Sequence, residues 1–133
     1  MLIGGDDAHN NLYGDARTMA NVATGGNDTL VSGTGTDHMW GDASIMSAAA
    51  IGGADTFVFA PVGGDDFIHD FRQSDGDMID VSAYGFSSIG DMTLSDLGAD
   101  TLIEFGASGA DNSVTLLGFD DPNQLTNVDF IFA

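Results

Sequence analysis

Aspartate side chains recur at the ends of glycine-rich turns in the first half of this chain. The stretch 25–42, GGNDTLVSGTGTDHMWGD, holds two such turns, which end at Asp28 and, nine residues later, at Asp37. Asp55 and Asp66 end two further turns. Carboxylates and closely spaced backbone carbonyls are the oxygen ligands that a hard cation such as Ca²⁺ prefers. The spacing therefore predicts several calcium sites built from turns.

A short apolar segment follows each of these turns. Leu30, Met39 and Phe57 each come two residues after a turn aspartate. The segment NNLYGDA at 10–16 also recurs as DHMWGDA at 37–43, an offset of 27 residues. Fixed self-similarity of this kind is typical of a solenoid, in which each unit stacks on the previous one. We therefore expect Met39 to stack over Leu12 in one sheet and Phe57 over Leu30 in another.

Two longer segments, 17–24 and 44–51, interrupt this pattern. They are rich in Ala, Ser, Asn and Thr, and Asn21 and Ala48 stand where an inward apolar residue would be expected. We therefore interpret both segments as extended loops. Two alternatives remain open at this point: each 27-residue unit holds three strands, or residues 44–50 form a short helix.

The regular spacing ends after residue 63. Turn-and-strand patterns at 63–71 and 75–81 are followed by four apolar segments between turns rich in Gly, Asp, Ser or Pro. The last coil of a solenoid needs a cover for its apolar face and strand edge. We predict an all-β chain: a parallel β-roll, a calcium-binding solenoid with long loops, over residues 1–83, followed by a C-terminal antiparallel β cap over residues 84–133.

The chain is strongly acidic, with a net charge of -19 and only Arg17 and Arg72 as basic residues besides histidine. Such a chain repels nucleic-acid phosphates and anionic membranes, and no segment reaches the length and apolarity needed for membrane insertion. It also repels itself unless cations neutralise it. Low core density and charge of one sign are equally typical of disorder, so disorder and folding both remain open for the metal-free chain.

Catalytic patterns are missing from the sequence. There is no cysteine, no zincin motif and no Gly-x-Ser-x-Gly pattern, and His9, His38 and His69 lack a histidine partner at metal-ligand spacing. We therefore predict that the chain is not an enzyme. Tyr13 and Trp40 share a repeat position beside an inward residue, so we expect both to face outward. Such an aromatic ladder offers a surface for a glycan or another partner.

The repeated turns resemble the glycine-rich nonapeptide repeats of the RTX, or haemolysin-type, calcium-binding family. Residues 25–40 and 52–59 carry this resemblance. The segments GADTFVF, DFIHDF, GDMIDVS and the terminal VDFIFA are similar to the block that closes many tails of that family. The chain departs from the pattern at Ala23, Thr24 and Ser32, which replace leading glycines, and at Asn10, which replaces an aspartate.

The resemblance implies a secreted calcium-binding module that folds outside the cell around several Ca²⁺ ions held between stacked turns. It also implies export by a type I ABC secretion apparatus that reads a C-terminal signal, which agrees with an N-terminus lacking the features of a secretory signal peptide. We expect an extracellular location. The alternatives are a carbohydrate- or surface-binding module and the non-catalytic tail of a larger secreted hydrolase.

The stacking of 27-residue units predicts which turns share ions. The turn ending at Asp28 should share ions with the turn ending at Asp55. At the opposite edge, the turn ending at Asp37 should share ions with the turn at Gly5 to Asn10 below it and with the turn ending at Asp66 above it. For Asp15 and Asp42, ligation and simple turn formation both remain open. The candidate metal-binding residues are Asn10, Asp15, Gly25, Gly26, Asp28, Gly33, Gly35, Asp37, Asp42, Gly52, Gly53, Asp55, Gly64, Asp66 and Asp77.

Overall fold

The computed structural model describes residues 1–6, 9–106 and 112–133, and in these ranges the chain is all-β. The strands are short, and 3₁₀ helices at Ser82–Tyr84, Ile89–Asp91, Pro122–Gln124 and Asn127–Asp129 connect some of the later ones. The strands are β1 Leu2–Ile3, β2 Asn10–Tyr13, β3 Thr18–Met19, β4 Thr29–Val31, β5 Asp37–Trp40, β6 Ile45–Met46, β7 Thr56–Val58, β8 Asp65–Ile68, β9 Met78–Asp80, β10 Thr93–Asp96, β11 Thr101–Glu104, β12 Ser113–Leu116 and β13 Phe130–Ile131.

Seven of the first nine strands, all except β3 and β6, wind through two sheets, and within these sheets they pair with one another in parallel. Sheet 1 has the order β1-β4-β7-β9-β13, and sheet 2 has the order β10-β11-β12-β8-β5-β2. In sheet 1 Leu30 pairs with Phe57, and in sheet 2 Leu12 pairs with Met39. Both pairs are those expected from the 27-residue repeat, so the fold is the β-roll that the sequence predicts.

The core lies between the two sheets. Each strand of the roll points one or two apolar side chains inward while the alternate residues face outward, as the period of a strand requires. Leu30, Met39, Phe57, Ile68 and Ile79 are all fully buried. Because one coil contributes so few large side chains, the stack must gain its stability from several coils together.

The long segments of the repeat contain strands, so our interpretation of them as extended loops is wrong. Strands β3 and β6 pair in parallel as a third, two-stranded sheet, in which Met19 pairs with Met46. The repeat pattern predicts the inward position at Asn21, which is exposed, whereas Met19 is buried. The alternative with three strands in each unit is correct, and residues 44–50 form no helix.

The C-terminal part covers the end of the roll in two ways. Strands β10, β11 and β12 pair antiparallel, as expected for the cap. Strand β12 also pairs in parallel with β8, and β13 pairs in parallel with β9, so both sheets of the roll continue into the later residues. No helix among the described residues is long and apolar enough to cross a membrane.

Candidate metal centre

The connections between the two sheets form two opposite edges of the roll. The long-loop edge consists of residues 14–28, 41–55 and 70–77, which lead from sheet 2 to sheet 1. The short-turn edge consists of residues 4–10, 32–37 and 59–66, which lead from sheet 1 to sheet 2. Residues 7 and 8 of the lowest short turn lie outside the described residues. Each edge carries its own set of carboxylates.

The short-turn edge holds one column of polar side chains. Asn10 Nδ2 donates to Asp37 Oδ1 at 2.7 Å, and the backbone N–H of Asp37 donates to Asp66 Oδ1 at 2.8 Å. Asp37 Oδ2 accepts from the backbone N–H of Gly33 at 2.7 Å. The structure therefore stacks Asn10, Asp37 and Asp66 in the order that the sequence predicted.

Asp66 is a buried carboxylate of this column with a raised pKa. Its side chain is buried, and burial raises its pKa to about 7, with the nearby charges of Asp37 and Asp65 acting in the same direction. A backbone donor, the N–H of Asp37, partly offsets this rise. Two buried aspartates one coil apart therefore repel each other unless a proton or a cation lies between them.

The long-loop edge holds an inner column of three aspartates. The backbone N–H of Asp28 donates to Asp55 Oδ1 at 2.8 Å, and that of Asp55 donates to Asp77 Oδ1 at 3.0 Å. Burial raises the pKa of Asp55 to about 7 and that of Asp77 to about 6, and the neighbouring carboxylates add to both shifts. The Asp28–Asp55 pair is the one expected for this edge.

One buried oxygen of the inner column has no donor among the described residues. Asp55 is 1% exposed, yet its Oδ2 has no hydrogen-bond partner within the part of the chain that the structure describes. This oxygen faces Gly41: a Cβ on that glycine would lie 2.2 Å from Asp55 Oδ2. The carboxylate therefore packs against the backbone of residue 41, which is possible only because that residue carries no side chain.

An outer column of aspartates runs along the same long-loop edge. Asp15 accepts from the backbone N–H of Gly26 at 2.9 Å, and Asp42 Oδ1 accepts from that of Gly53 at 2.7 Å. A Cβ on Gly25 would lie 2.3 Å from Asp15 Oδ2 and 2.8 Å from Asp42 Oδ1, so both carboxylates converge on this glycine. A Cβ on Gly52 would likewise lie 2.2 Å from Asp42 Oδ2.

Asp70 belongs to this outer column and was missed in the sequence. Its two oxygens accept from the backbone N–H groups of Gly41 and Asp42, at 2.8 and 3.1 Å. Burial raises the pKa of Asp70 to about 6, and the charge of Asp42 adds to the shift. The available signal was its place two residues beyond Ile68, which matches that of Gly41 two residues beyond Met39, the pairing partner of Ile68. The changed spacing of the third coil concealed this correspondence.

Glycines allow the coils to approach closely at both edges. A Cβ on Gly53 would lie 1.6 Å from the carbonyl oxygen of Gly26, and a Cβ on Gly64 would lie 1.6 Å from that of Gly35. Gly35 itself has a φ of 100°, which favours glycine. Backbone carbonyls therefore lie next to the carboxylate columns of the adjacent coil.

Side chains alone do not form a complete metal cage. Among the described residues no group of three or more His, Cys, Asp or Glu side chains is arranged to hold a metal ion. Calcium needs six to eight oxygens, many of which are backbone carbonyls in loop sites. The chemistry of the two edges thus fits a cation that takes one or two carboxylates from each coil and its other ligands from glycine carbonyls and water.

The outer face of sheet 2 carries a second cluster, made of aromatic rings. Tyr13 stacks on Trp40 at 4.8 Å between centroids, and Trp40 stacks on His69 at 3.8 Å. His38 stacks on Phe67, and its Nδ1 lies 2.8 Å from His69 Nε2. Burial, followed by the proximity of His38, lowers the pKa of His69. The ladder therefore has more members than the sequence indicated, and its rings cover one another's faces.

Comparisons with known proteins agree with this architecture. No protein-family model and no curated protein matches the chain. The chain is similar to the solution structure of the AlgE6R2 subunit from the Azotobacter vinelandii mannuronan C5-epimerase, with a TM-score of 0.63 and 25% identity over 100% of this chain and 93% of that chain. It is also similar to the AlgE6R3 subunit of the same enzyme, with a TM-score of 0.58 and 27% identity over 97% and 81% of the two chains. These similarities support the all-β roll and, at the level of fold, the resemblance to RTX repeats.

Proposed function

We propose that this chain is a calcium-binding module that completes its fold by binding calcium along both edges of the roll. The observation that carries the proposal is Asp55 Oδ2, a buried carboxylate oxygen without a donor among the described residues. Such an oxygen loses its hydration on folding and costs about 1 to 3 kcal/mol or more when it stays unpaired. A divalent cation beside it removes this cost and the repulsion from the neighbouring carboxylates.

The ligand sets follow from the columns. On the long-loop edge the carboxylates of neighbouring coils bind ions together with glycine carbonyls, and on the short-turn edge an amide oxygen replaces the lowest carboxylate. A bound ion neutralises the carboxylates and links one coil to the next. The proposed ligands of the long-loop edge are Asp15, Gly25, Gly26, Asp28, Asp42, Gly52, Gly53, Asp55 and Asp77, and those of the short-turn edge are Asn10, Gly33, Gly35, Asp37, Gly64 and Asp66.

Calcium binding is then coupled to folding. The ligands of one site come from different coils, so they are together only in the stacked chain, and binding free energy becomes folding free energy. With a dissociation constant of about 100 μM and free calcium of about 1 mM, each site adds about 1.4 kcal/mol. Several such sites add as much as the whole stability of an ordinary domain. A cytosol poor in calcium would keep the chain open, and the extracellular medium would close it.

Circular dichroism of the metal-free protein, titrated with calcium, tests this function. We expect strand signal and thermal stability to rise with calcium, and magnesium at the same ionic strength to have a much smaller effect, since it dehydrates reluctantly and demands near-ideal geometry. Asp55→Asn should raise the midpoint of the calcium titration about tenfold, the equivalent of about 1.4 kcal/mol. Asp120→Asn removes the same charge from an exposed residue outside both edges and should leave the midpoint unchanged. Equal folding and stability with and without calcium would overturn the proposal.

Export belongs to the same proposal. The terminal segment that resembles the family's closing block includes β13, which pairs with β9 inside sheet 1. A secretion signal at this place would be accessible only before the roll closes, which suits export of an unfolded chain into a calcium-rich medium. Secretion of the chain by cells with and without a type I ABC transporter measures this directly.

A second candidate, a module within a larger enzyme, is favoured by the neighbours, because each is one subunit of an epimerase. The reading frame around this sequence tests that candidate.

A glycan-binding function has less support. Sugar rings bind to open aromatic faces, whereas Tyr13, Trp40 and His69 are stacked on one another. The aromatic cluster thus contributes to the stacking of coils.

A further inference from the structure

The two arginines of the sequence differ sharply in their surroundings. The guanidinium of Arg72 lies on the long-loop edge, with Nη1 3.4 Å from Asp75 Oδ2 and 3.9 Å from Asp42 Oδ2. Arg17 is exposed, and no carboxylate of the described residues is within ion-pair distance of it. The chain has no lysine and no other arginine. One of the two fixed positive charges is therefore placed in the most acidic part of the roll.

Arg72 contacts this acidic region with its backbone as well as its side chain. Its backbone N–H donates to Asp77 Oδ2 at 2.8 Å, which fixes the start of its side chain beside the inner aspartate column. Its Nη1 also lies 3.7 Å from Met46 Sδ, on β6 of the coil below. The side chain of Arg72 thus joins the third coil to the second, while its backbone hydrogen bond stays within the third coil.

The partners of Arg72 give its charge a larger stabilising effect than an ordinary surface charge has. Exposed ion pairs contribute little, because water screens them and both side chains lose freedom. Here the guanidinium side chain is 44% exposed, but the Asp42 side chain is only 4% exposed. Burial raises the pKa of Asp42, and the charge of Arg72 opposes that rise. A buried carboxylate that lost this partner would need another cation.

The position of Arg72 corresponds to the upper end of the outer column. One level lower, Asp15 and Asp42 converge on Gly25, and among the described residues no basic side chain forms an ion pair with Asp15. At the upper level Asp42 meets Asp70 and Asp75, and Arg72 lies among them. The roll thus carries a positive side chain at one end of a column whose lower part depends on external cations.

Resting on the proposed function, we propose that Arg72 is a built-in counter-cation that replaces a metal ion at the C-terminal end of the outer column of the long-loop edge. The third coil and its junction with the cap then need less calcium than the coils below them. Arg72 is in this sense a residue that sets the calcium requirement, and it is not itself a calcium ligand.

The test compares Arg72→Gln with Arg17→Gln, which removes the same charge from an exposed site. Melting temperatures are measured on metal-free protein and in saturating calcium, and bound calcium is counted by equilibrium dialysis. We expect Arg72→Gln to melt at a lower temperature than Arg17→Gln without metal, and this difference to close in saturating calcium. We also expect Arg72→Gln to raise the calcium midpoint about two- to tenfold, the range expected for one partly buried charge pair.

A third variant keeps the result interpretable if Arg72→Gln does not fold without metal. Arg72→Lys retains the charge and should stay near the wild type, while calcium should restore the fold of Arg72→Gln. If the wild type binds calcium but Arg72→Gln and Arg17→Gln do not differ in melting temperature or calcium midpoint, the role of Arg72 is overturned and the proposed function stands. A difference that persists unchanged in saturating calcium overturns the role of Arg72 as well. A wild type that binds no calcium in dialysis overturns the proposed function and, with it, the replacement of a metal ion.

Discussion

The two edges of the roll are wound equally tightly but carry very different amounts of charge. The short-turn edge has one polar column, which ends in the neutral amide of Asn10. The long-loop edge has two carboxylate columns and the guanidinium of Arg72. Its longer segments have the room for a second column and for the small sheet of β3 and β6. The same fold thus has two separate requirements. Both edges need steric room for the backbone, whereas neutralisation of carboxylate charge is needed mainly at the long-loop edge.

The largest effect should come from a side chain added where the coils touch. Gly53→Ala on the long-loop edge and Gly64→Ala on the short-turn edge would each bring a Cβ within 1.6 Å of a carbonyl oxygen of the coil below. Because this neighbour is backbone, the coils must separate, and we expect each variant to lose about 3 kcal/mol of unfolding free energy. Denaturant unfolding in saturating calcium measures the loss.

Gly26→Ala is the matched control for Gly53→Ala, since it is the equivalent position one coil lower. A Cβ on Gly26 would have its nearest neighbour at 3.6 Å, an ordinary contact. We expect this variant to stay within about 1 kcal/mol of the wild type. If Gly53→Ala and Gly26→Ala are equally stable, the close approach of the coils described here is incorrect.

The next effect should be a pH dependence that changes sign when calcium is added. Asp55 and Asp66 have pKa values of about 7 in the metal-free fold, whereas an unfolded aspartate titrates near its ordinary value of about 3.9. The folded chain therefore binds more protons than the unfolded chain between these values, and the metal-free fold should lose stability as the pH rises through about 7. Calcium needs deprotonated carboxylates, so the stability added by calcium should instead rise with pH.

Melting temperatures of metal-free and calcium-saturated protein between about pH 5 and pH 8 test this prediction. Most of the dependence should come from the long-loop edge, where burial also raises the pKa values of Asp70 and Asp77 to about 6. Parallel pH profiles with and without calcium would show that protons and calcium do not compete for these carboxylates.

The smallest effect should come from making the two edges more alike. Asn10→Asp would place a carboxylate where an amide now donates to Asp37 Oδ1 at 2.7 Å. We expect the metal-free chain to lose about 1 kcal/mol, because a hydrogen bond becomes a repulsion, and saturating calcium to restore the loss. Asn11→Asp on the exposed side of the same strand is the control, since it adds the same charge away from the column. A loss in Asn10→Asp that calcium leaves unchanged would argue against ion binding at this turn.

Much of the fold was predictable because its signals are local and repeated. The 27-residue offset placed Met39 over Leu12 and Phe57 over Leu30, and the structure has both pairs. The prediction of loops in the long segments is wrong, because the repeat pattern puts the inward position at Asn21. The buried residue there is Met19, which pairs with Met46 in a sheet of its own. A two-residue strand has too little sequence pattern to be recognised without its partner.

The sequence by itself determined the register of the coils and the two edges on which the turn aspartates lie, since both follow from a fixed repeat and the alternation of strands. The tertiary structure alone decided which carboxylates are buried, which oxygen of Asp55 lacks a donor among the described residues, and where Arg72 directs its charge. Asp42 and Arg72 are far apart in the sequence, as are Asp55 and Asp77. Electrostatic interactions depend on distance and burial, and no spacing rule relates residues in coils of unequal length. The repeat thus fixes where the charges stack, and the packing of the third coil fixes how they are neutralised.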